Sequence, residues 1–262
     1  MKTPMCAMMT HTGLVRTTNE DVCGAYPVAG GGMLYVVCDG VGGCRGGEIA
    51  ARVARDAFAA AVREMAERFV VEGQKTGGAS MDEGPLSAVK SGMRAAAACA
   101  NRAVREAQVA RRMPDMATTL VAALVTDARV YVLHVGDSRL YTVNRDSMER
   151  VTRDHSYLQY LLDIGRITAQ EAAEFSGNNF ITRAMGAQNF VDADFVALAR
   201  AALSPDTYLL LCTDGLTGEL DDETVHGLAL AGGTLPDCVA RLCRAALSHG
   251  GKDNLTVMLA AL

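Results

Sequence analysis

The apolar and polar positions of this chain fall into two kinds of period. Met33 to Cys38 form a continuous apolar run closed by Asp39-Gly40, the pattern of a strand buried on both faces. A glycine-rich turn follows from Gly40 to Gly47. From Glu48 onward Ile49, Val53, Ala57, Ala61, Met65 and Phe69 recur at three- to four-residue spacing, which predicts a long amphipathic helix. Glu72 to Pro85, rich in glycine and small polar residues, breaks that helix and reads as a connection. Leu86, Val89, Met93, Ala96, Ala97, Ala100, Val104 and Ala107 then form a second helical stripe, a neighbour of the first.

Further along, Thr118 to Thr126 and Arg129 to Val135 predict a hairpin around Asp127-Ala128, and Leu140 to Asn144 continues that sheet. From His155 to Arg183 the pattern becomes polar and helical in short pieces, a surface excursion. Val22 to Tyr26 is a short segment ahead of the first apolar run. Phe190 to Leu198, Thr207 to Cys212 and Leu255 to Leu262 read as strands, with helices around Asp222 to Ala229 and Leu235 to Leu247. This order predicts an α+β fold of antiparallel sheets with helices segregated outside, built as a single domain over residues 1–262.

Composition narrows the function classes. The net charge is -5 and no basic run exceeds Arg111-Arg112, so the footprint of a nucleic-acid binder is missing. The longest apolar stretches fall far short of the roughly 18 residues that span a bilayer, and the first residues lack the apolar core of a secretory signal. The expectation is a cytoplasmic protein with no membrane or nucleic-acid partner. The 8 cysteines contain no C-x-x-C pair, and they read as buried thiols of a reducing compartment, not as a zinc site or a disulfide framework.

Four aspartates close or border apolar runs: Asp39 in V-V-C-D-G, Asp137 in L-H-V-G-D-S-R, Asp214 in L-L-L-C-T-D-G and Asp253 in G-G-K-D-N-L-T-V. A further acidic group, Asn19-Glu20-Asp21, precedes Val22. Any one of these motifs alone is ordinary turn chemistry. Together, strands that deliver carboxylates to one edge would create a like-charge cluster that needs a cation, and all-oxygen ligands suit Mg²⁺ or Mn²⁺. The glycine-rich turn lacks the Gly-Lys-Ser/Thr ending of a P-loop and fits no G-x-G-x-x-G pattern.

Eight segments resemble the metal-dependent type 2C family of protein serine/threonine phosphatases, in particular its compact bacterial members. They are G-L-V-R-T-T-N-E-D (Gly13 to Asp21), V-C-D-G-V-G-G (Val37 to Gly43), M-A-T-T-L (Met116 to Leu120), H-V-G-D-S-R-L-Y (His134 to Tyr141), V-T-R-D-H-S (Val151 to Ser156), I-T-R-A-M-G (Ile181 to Gly186), L-C-T-D-G-L-T (Leu211 to Thr217) and K-D-N-L-T-V (Lys252 to Val257). They stand in the family's order across nearly the whole chain.

The resemblance implies an α/β/β/α sandwich of two antiparallel sheets flanked by helices, with a metal centre at one end. It also implies hydrolysis of phosphoserine and phosphothreonine by water activated between two divalent cations, Mn²⁺ or Mg²⁺, with a weaker third. Carried over residue by residue, Asp39 bridges both metals and the Gly40 carbonyl and Asp21 serve the first, with Glu20 behind Asp21. Asp214 and Asp253 serve the second, Asp137 with Asp214 the third, and Arg16 clamps the phosphate. Residues 155–183 correspond to the family's variable flap. The implied partners are phosphorylated proteins, substrates of a serine/threonine kinase, met by a monomeric enzyme. Two other readings share these residues: a phosphohydrolase of small phosphoesters, and a non-catalytic relative that only binds phosphoprotein. Two departures stand out. Val41 occupies the place after D-G where eukaryotic members often carry histidine, and Gly218 stands four positions after Asp214, where members with a longer aspartate set place a carboxylate.

Overall fold

A computed structural model describes residues 6–41, 46–76, 81, 86–173 and 180–262. Two five-stranded antiparallel sheets lie face to face. One has the order β2-β3-β4-β5-β8, from β2 (Val22–Pro27), β3 (Met33–Cys38), β4 (Leu120–Val125), β5 (Arg129–Val135) and β8 (Asp194–Ala199). The other has the order β1-β10-β9-β6-β7, from β1 (Cys6–His11), β10 (Leu255–Ala261), β9 (Tyr208–Cys212), β6 (Arg139–Val143) and β7 (Met148–Arg150). Helices α1 (Gly47–Thr76) and α2 (Leu86–Arg111) cover the first sheet, and α6 (Asp222–Leu230) and α7 (Leu235–Ser248) cover the second.

The continuous apolar runs follow from this layering. In β3, Leu34, Val36 and Cys38 face the helices, while Tyr35 and Val37 enter the layer between the sheets beside Val121, Val132, Leu211 and Met258. Both sets are removed from water, so neither parity of the strand can be polar. The hairpin around Asp127-Ala128 forms as predicted, with Leu120 opposite Val135.

Several sequence expectations shift. Helix α1 continues through Glu72 to Thr76 before the connection begins. Its buried stripe is Ala50, Ala54, Phe58, Val62 and Ala66, and the larger Ile49, Val53, Met65 and Phe69 lie on its flank. Alanines under the helix axis allow close approach to the sheet, and the bulkier side chains seal the edges. Strand β6 does not extend the hairpin sheet; it crosses to the other sheet and pairs with β9, Arg139 opposite Cys212. Strand β8 begins at Asp194, and Phe190 before it is exposed. Strands β1 and β7 and the short helix α5 (Asp214–Thr217) are additional. The excursion from His155 carries α3 (Tyr157–Asp163) and α4 (Ala169–Ala173). Cys44, Gly177 and most of the glycine-rich turn lie outside the described residues. The seven described cysteines are free thiols, four of them buried. Among the described residues no helix is long and apolar enough to cross a membrane.

The antiparallel register fixes where the acidic residues emerge. Val22 pairs with Cys38, Val37 with Val121, and Leu120 with Val135, so the start of β2, the end of β3, the start of β4 and the end of β5 share one edge. In the second sheet His11 pairs with Leu255, and Cys212 pairs with Arg139. The crossover 136–138 joins the two edges.

The rotated stripe of α1 is testable. Phe58→Ala should cost about 3–5 kcal/mol, and Phe69→Ala, on the half-exposed flank, less than half as much. Urea unfolding of the two variants checks this; equal losses would contradict the placement of the stripe.

Candidate metal centre

Asp39 leaves β3 with its backbone held on both sides. Its N–H donates to Thr119 Oγ1 (3.0 Å), and its carbonyl accepts from the Thr119 N–H (2.8 Å) and the Thr118 hydroxyl (2.8 Å). The next residue meets the start of α1 so closely that a Cβ on Gly40 would lie 2.5 Å from the Gly47 carbonyl carbon. Only glycine fits there. The Gly40 N–H donates to the Glu20 carbonyl (3.1 Å), and the Glu20 carboxylate sits against Gly47 at the N-terminus of α1, where the helix dipole favours negative charge. Burial and the neighbouring Glu48 nevertheless raise its pKa.

The other carboxylates converge on Asp39. Asp21 is buried, and its Oδ2 accepts from the Thr213 hydroxyl (2.9 Å) while its Oδ1 has no partner. Asp137, carried on the crossover after Gly136, is equally buried, and its Oδ1 is also unpartnered. Asp214 opens α5, where Gly215 is required because a Cβ would fall 2.0 Å from the Asn254 carbonyl oxygen. Asp253, just before β10, pairs with Arg16 at 2.7 Å.

Electrostatics report the strain of this assembly. Burial first, and then Asp21, Asp214, Asp137 and Asp253 in turn, push the Asp39 carboxyl well above its usual range. Burial raises Asp21 to about 7 despite the Thr256 and Thr213 hydroxyls that lower it, and burial followed by the field of Asp214 raises Asp137 to about 8. Asp214 is raised by burial and by Asp253. Asp39 lies close enough to Asp21 and Asp214 for their charges to raise it, a like-charge crowding that a bound cation would relieve. Two buried carboxylate oxygens without donors, in a set built entirely of oxygen ligands, fit hard divalent cations.

The loop that carries Arg16 is pinned by Asn254. Its Nδ2 donates to the carbonyls of Thr12 (2.8 Å) and Thr18 (2.9 Å), and its Oδ1 accepts from the Glu20 N–H (2.8 Å). Arg16, Glu20, Asp21, Asp39, Gly40, Asp137, Asp214 and Asp253 are therefore brought to one end of the sandwich. Thr119, Thr213 and Asn254 hold them there, and sequence reasoning did not single these three out. Their signal lay inside M-A-T-T-L, L-C-T-D-G-L-T and K-D-N-L-T-V.

The histidines take other places. His11 Nδ1 accepts from the Gly13 N–H, while His226 and His249 bond the carbonyls of Asn144 and Ala245. His155 is buried, and desolvation together with nearby His134 and Arg183 lowers its pKa to about 4 despite Asp194.

Nearly the whole chain is similar to known proteins. Residues 14–260 match the family model described as protein phosphatase 2C. The chain is 31% identical over 251 residues to the serine/threonine phosphatase stp of Listeria innocua, covering 95% of this chain and 92% of that protein. Its fold is similar to the crystal structure of the serine/threonine phosphatase Stp1 from Staphylococcus aureus, with a TM-score of 0.84 at 29% identity over 100% of this chain and 96% of the other. It is also similar to the catalytic domain of the serine threonine protein phosphatase PstP in complex with 2 manganese ions, with a TM-score of 0.76 at 30% identity, covering 98% and 97% of the two chains.

The raised carboxyl pKa values predict a pH dependence with a definite sign. A carboxyl whose folded pKa exceeds its unfolded value of about 4 favours the folded state at low pH, and that contribution is lost as pH rises through the folded value. For Asp21 and Asp137 the window runs from there to about 7 and about 8. The cation-free protein should lose stability across this window, and Mn²⁺ should raise Tm by more at pH 8 than at pH 5.5. Thermal melts with Mn²⁺ and with chelator check this; an equal Mn²⁺ increment at both pH values would contradict it.

Proposed function

We propose that this chain, which belongs to the protein phosphatase 2C family, hydrolyses phosphoserine and phosphothreonine in proteins at this acidic end of the sandwich. The observation that carries the reading is the convergence of Asp21, Asp39, Asp137, Asp214 and Asp253 beside the guanidinium of Arg16, itself bonded to Asp253. On this reading the chain is one phosphatase domain, and the segment that starts with α3 and α4, within residues 155–183, serves as its flap, of which 174–179 lie outside the described residues. The same reading places the enzyme in the cytoplasm as a monomer, signalling in opposition to a serine/threonine kinase.

In this assignment Asp39 would serve both of two divalent cations, Mn²⁺ or Mg²⁺. The Gly40 carbonyl and Asp21 would hold the first with it, and Asp214 and Asp253 the second. Asp137 with Asp214 would hold a weaker third, with no help from Gly218. When bound, such cations acidify water near neutral pH and neutralise charge on a phosphoryl group. The protein's own part is orientation. The Thr213 hydroxyl fixes Asp21, the threonine pair 118–119 fixes the backbone at Asp39, and Asn254 fixes the loop of Arg16. The planar guanidinium of Arg16 can donate to two phosphate oxygens at once. Glu20 stands behind Asp21 at the start of α1.

Among the described residues, no histidine or other neutral acid beside the aspartate cluster is placed to protonate the leaving oxygen. Val41 is aliphatic, its N–H already given to the Ala117 carbonyl (3.0 Å). His155 is neutral at physiological pH and has both ring nitrogens engaged. Water is left as the donor.

Hydrolysis of p-nitrophenyl phosphate and of a phosphothreonine peptide should require Mn²⁺ or Mg²⁺ and stop with chelator. Asp39→Asn should lower kcat by about a thousandfold or more, and Arg16→Ala should mainly raise KM. Peptide turnover by metal-stripped protein, or a near-native kcat in Asp39→Asn at saturating metal, would overturn the assignment. A positioned general acid contributes about 10²–10⁴ in rate. Without one, kcat/KM should fall steeply with leaving-group pKa across a phosphomonoester series. A shallow slope, with chemistry rate-limiting, would show that some residue does supply the proton.

A further inference from the structure

A second cluster of chemistry-bearing side chains lies beside the crossover that carries Asp137. His134, His155 and Asp194 offer ligand atoms within 4.8 Å of one another, a set that resembles a transition-metal site. The hydrogen bonds assign it differently. The Gly136 N–H can only donate, and it points at His155 Nδ1 (3.1 Å), so that nitrogen carries the lone pair. In a neutral ring the proton then sits on Nε2, which faces Asp194 Oδ2 at 3.3 Å. A metal on Nε2 would need the opposite tautomer and would turn Nδ1–H against Gly136 N–H. Arg183 Nη1 also stands 3.1 Å from His155 Nε2, but the guanidinium has other acceptors, Asp194 Oδ1 (3.1 Å) and Asp192 Oδ2 (3.1 Å), whereas the Gly136 N–H is fixed on Nδ1 by the backbone, so Nε2 is the nitrogen that keeps the proton. A guanidinium occupies the position where a cation would have to enter.

What His155 does hold is backbone. Its N–H donates to the Gly136 carbonyl (2.9 Å) while its ring accepts from the Gly136 N–H, so one residue grips both polar groups of the glycine immediately before Asp137. Gly136 has φ +104°, and a Cβ there would strike Thr119, the residue whose hydroxyl accepts from the Asp39 N–H. The His155 carbonyl accepts from the Thr182 N–H (2.8 Å), and the next residues pair across the base of the flap, Ser156 with Ile181 and the Tyr157 N–H with the Phe180 carbonyl (2.8 Å). The His134 ring stacks on the other side at 4.6 Å, and its Nε2 donates to the Arg153 carbonyl (2.8 Å). Two ends of the flap and the crossover therefore meet at one imidazole.

We propose that His155 is a positioning residue that acts through Gly136: its Nδ1 lone pair sets the Gly136 peptide, and with it the direction in which Asp137 is presented, while its backbone closes the base of the flap. The effect on turnover rests on the function proposed above, but the tautomer does not.

Two measurements test it. In wild-type protein at pH 7, long-range ¹⁵N–¹H correlation should find His155 neutral, with the proton on Nε2 and none on Nδ1. A proton on Nδ1 would overturn the proposal whether or not the protein is a phosphatase and whether or not any variant folds. The second compares isosteres by kinetics, with circular dichroism to verify folding. Asparagine places Oδ1 near the position of Nδ1 and can accept from Gly136, whereas glutamine reaches only toward Asp194. Loss of a hydrogen bond to a buried donor costs about 1–3 kcal/mol, so His155→Gln should lose about tenfold or more in kcat, His155→Asn about threefold or less, with KM for a phosphopeptide little changed in either. Folded variants in which glutamine matches or exceeds asparagine, or in which KM alone rises, would contradict it. Absence of hydrolysis by the wild type would fault the proposed function and leave the tautomer to decide this one.

Discussion

The dominant constraint on this molecule is electrostatic: like-charged carboxylates are brought together where burial denies them water. Asp21, Asp39, Asp137 and Asp214 each have a raised pKa, and in each burial is the largest cause, with neighbouring aspartates adding to it. A cluster like this is unfavourable by itself and persists only because something else fixes its position. The apolar layers supply that rigidity. Each carboxylate sits within two residues of a strand whose partners are set by an antiparallel register, and β3, β5 and β9 among these strands are buried on both faces. Repulsion within the cluster cannot be relieved by sliding a strand, since a one-residue slip would invert every side chain of that strand.

The backbone between strand and carboxylate needs separate support, and small polar residues provide it. Thr119 is a two-way coupler: its hydroxyl accepts from the Asp39 N–H and lies 2.7 Å from the Ser138 hydroxyl, beside Asp137. Thr118 extends the connection to Met185, each N–H donating to the other's carbonyl, which ties the far end of the flap segment to the same loop. Thr213 links the Asp21 carboxylate to the Thr256 N–H of β10. These contacts join the two sheets through hydroxyls instead of apolar packing, which suits an edge that must stay open to ions and substrate.

How much of this could be read from sequence depends on the range of the interaction. The continuous runs of β3, β4 and β9 announced themselves because both parities are apolar. Strand β1 did not, since Met8, Met9 and Thr10 show neither a run nor an alternation, and its identity comes from pairing with β10 alone. The crossing of β6 was misread because Gly136-Asp137-Ser138 has the composition of a hairpin turn; only the register with β9 reveals the change of sheet. In α1 the alanines hid the buried face, because a stripe drawn through the largest apolar residues falls about one position away from the one the sheet contacts. The aspartates were legible as strand-end residues, and the family resemblance placed them in order. Thr213 and Asn254 were not, because a hydroxyl or an amide becomes a positioning group only through partners more than 190 residues away in the chain.

Charge links the cluster to the arginine beside it. The aspartates crowd negative charge that divalent cations would offset, Arg16 pairs with Asp253 at their rim, and Glu20 is set apart at the N-terminus of α1. The Arg16–Asp253 pair is half exposed, so its own stabilising effect is small. Its significance is competitive. A cation that took Asp253 would weaken the hold on Arg16, and a phosphate that took Arg16 would free Asp253 for a cation. Two such events would favour each other through one shared carboxylate, and by linkage each would tighten the other by the same factor. An arginine held by anything except a carboxylate of the cluster would lack this coupling.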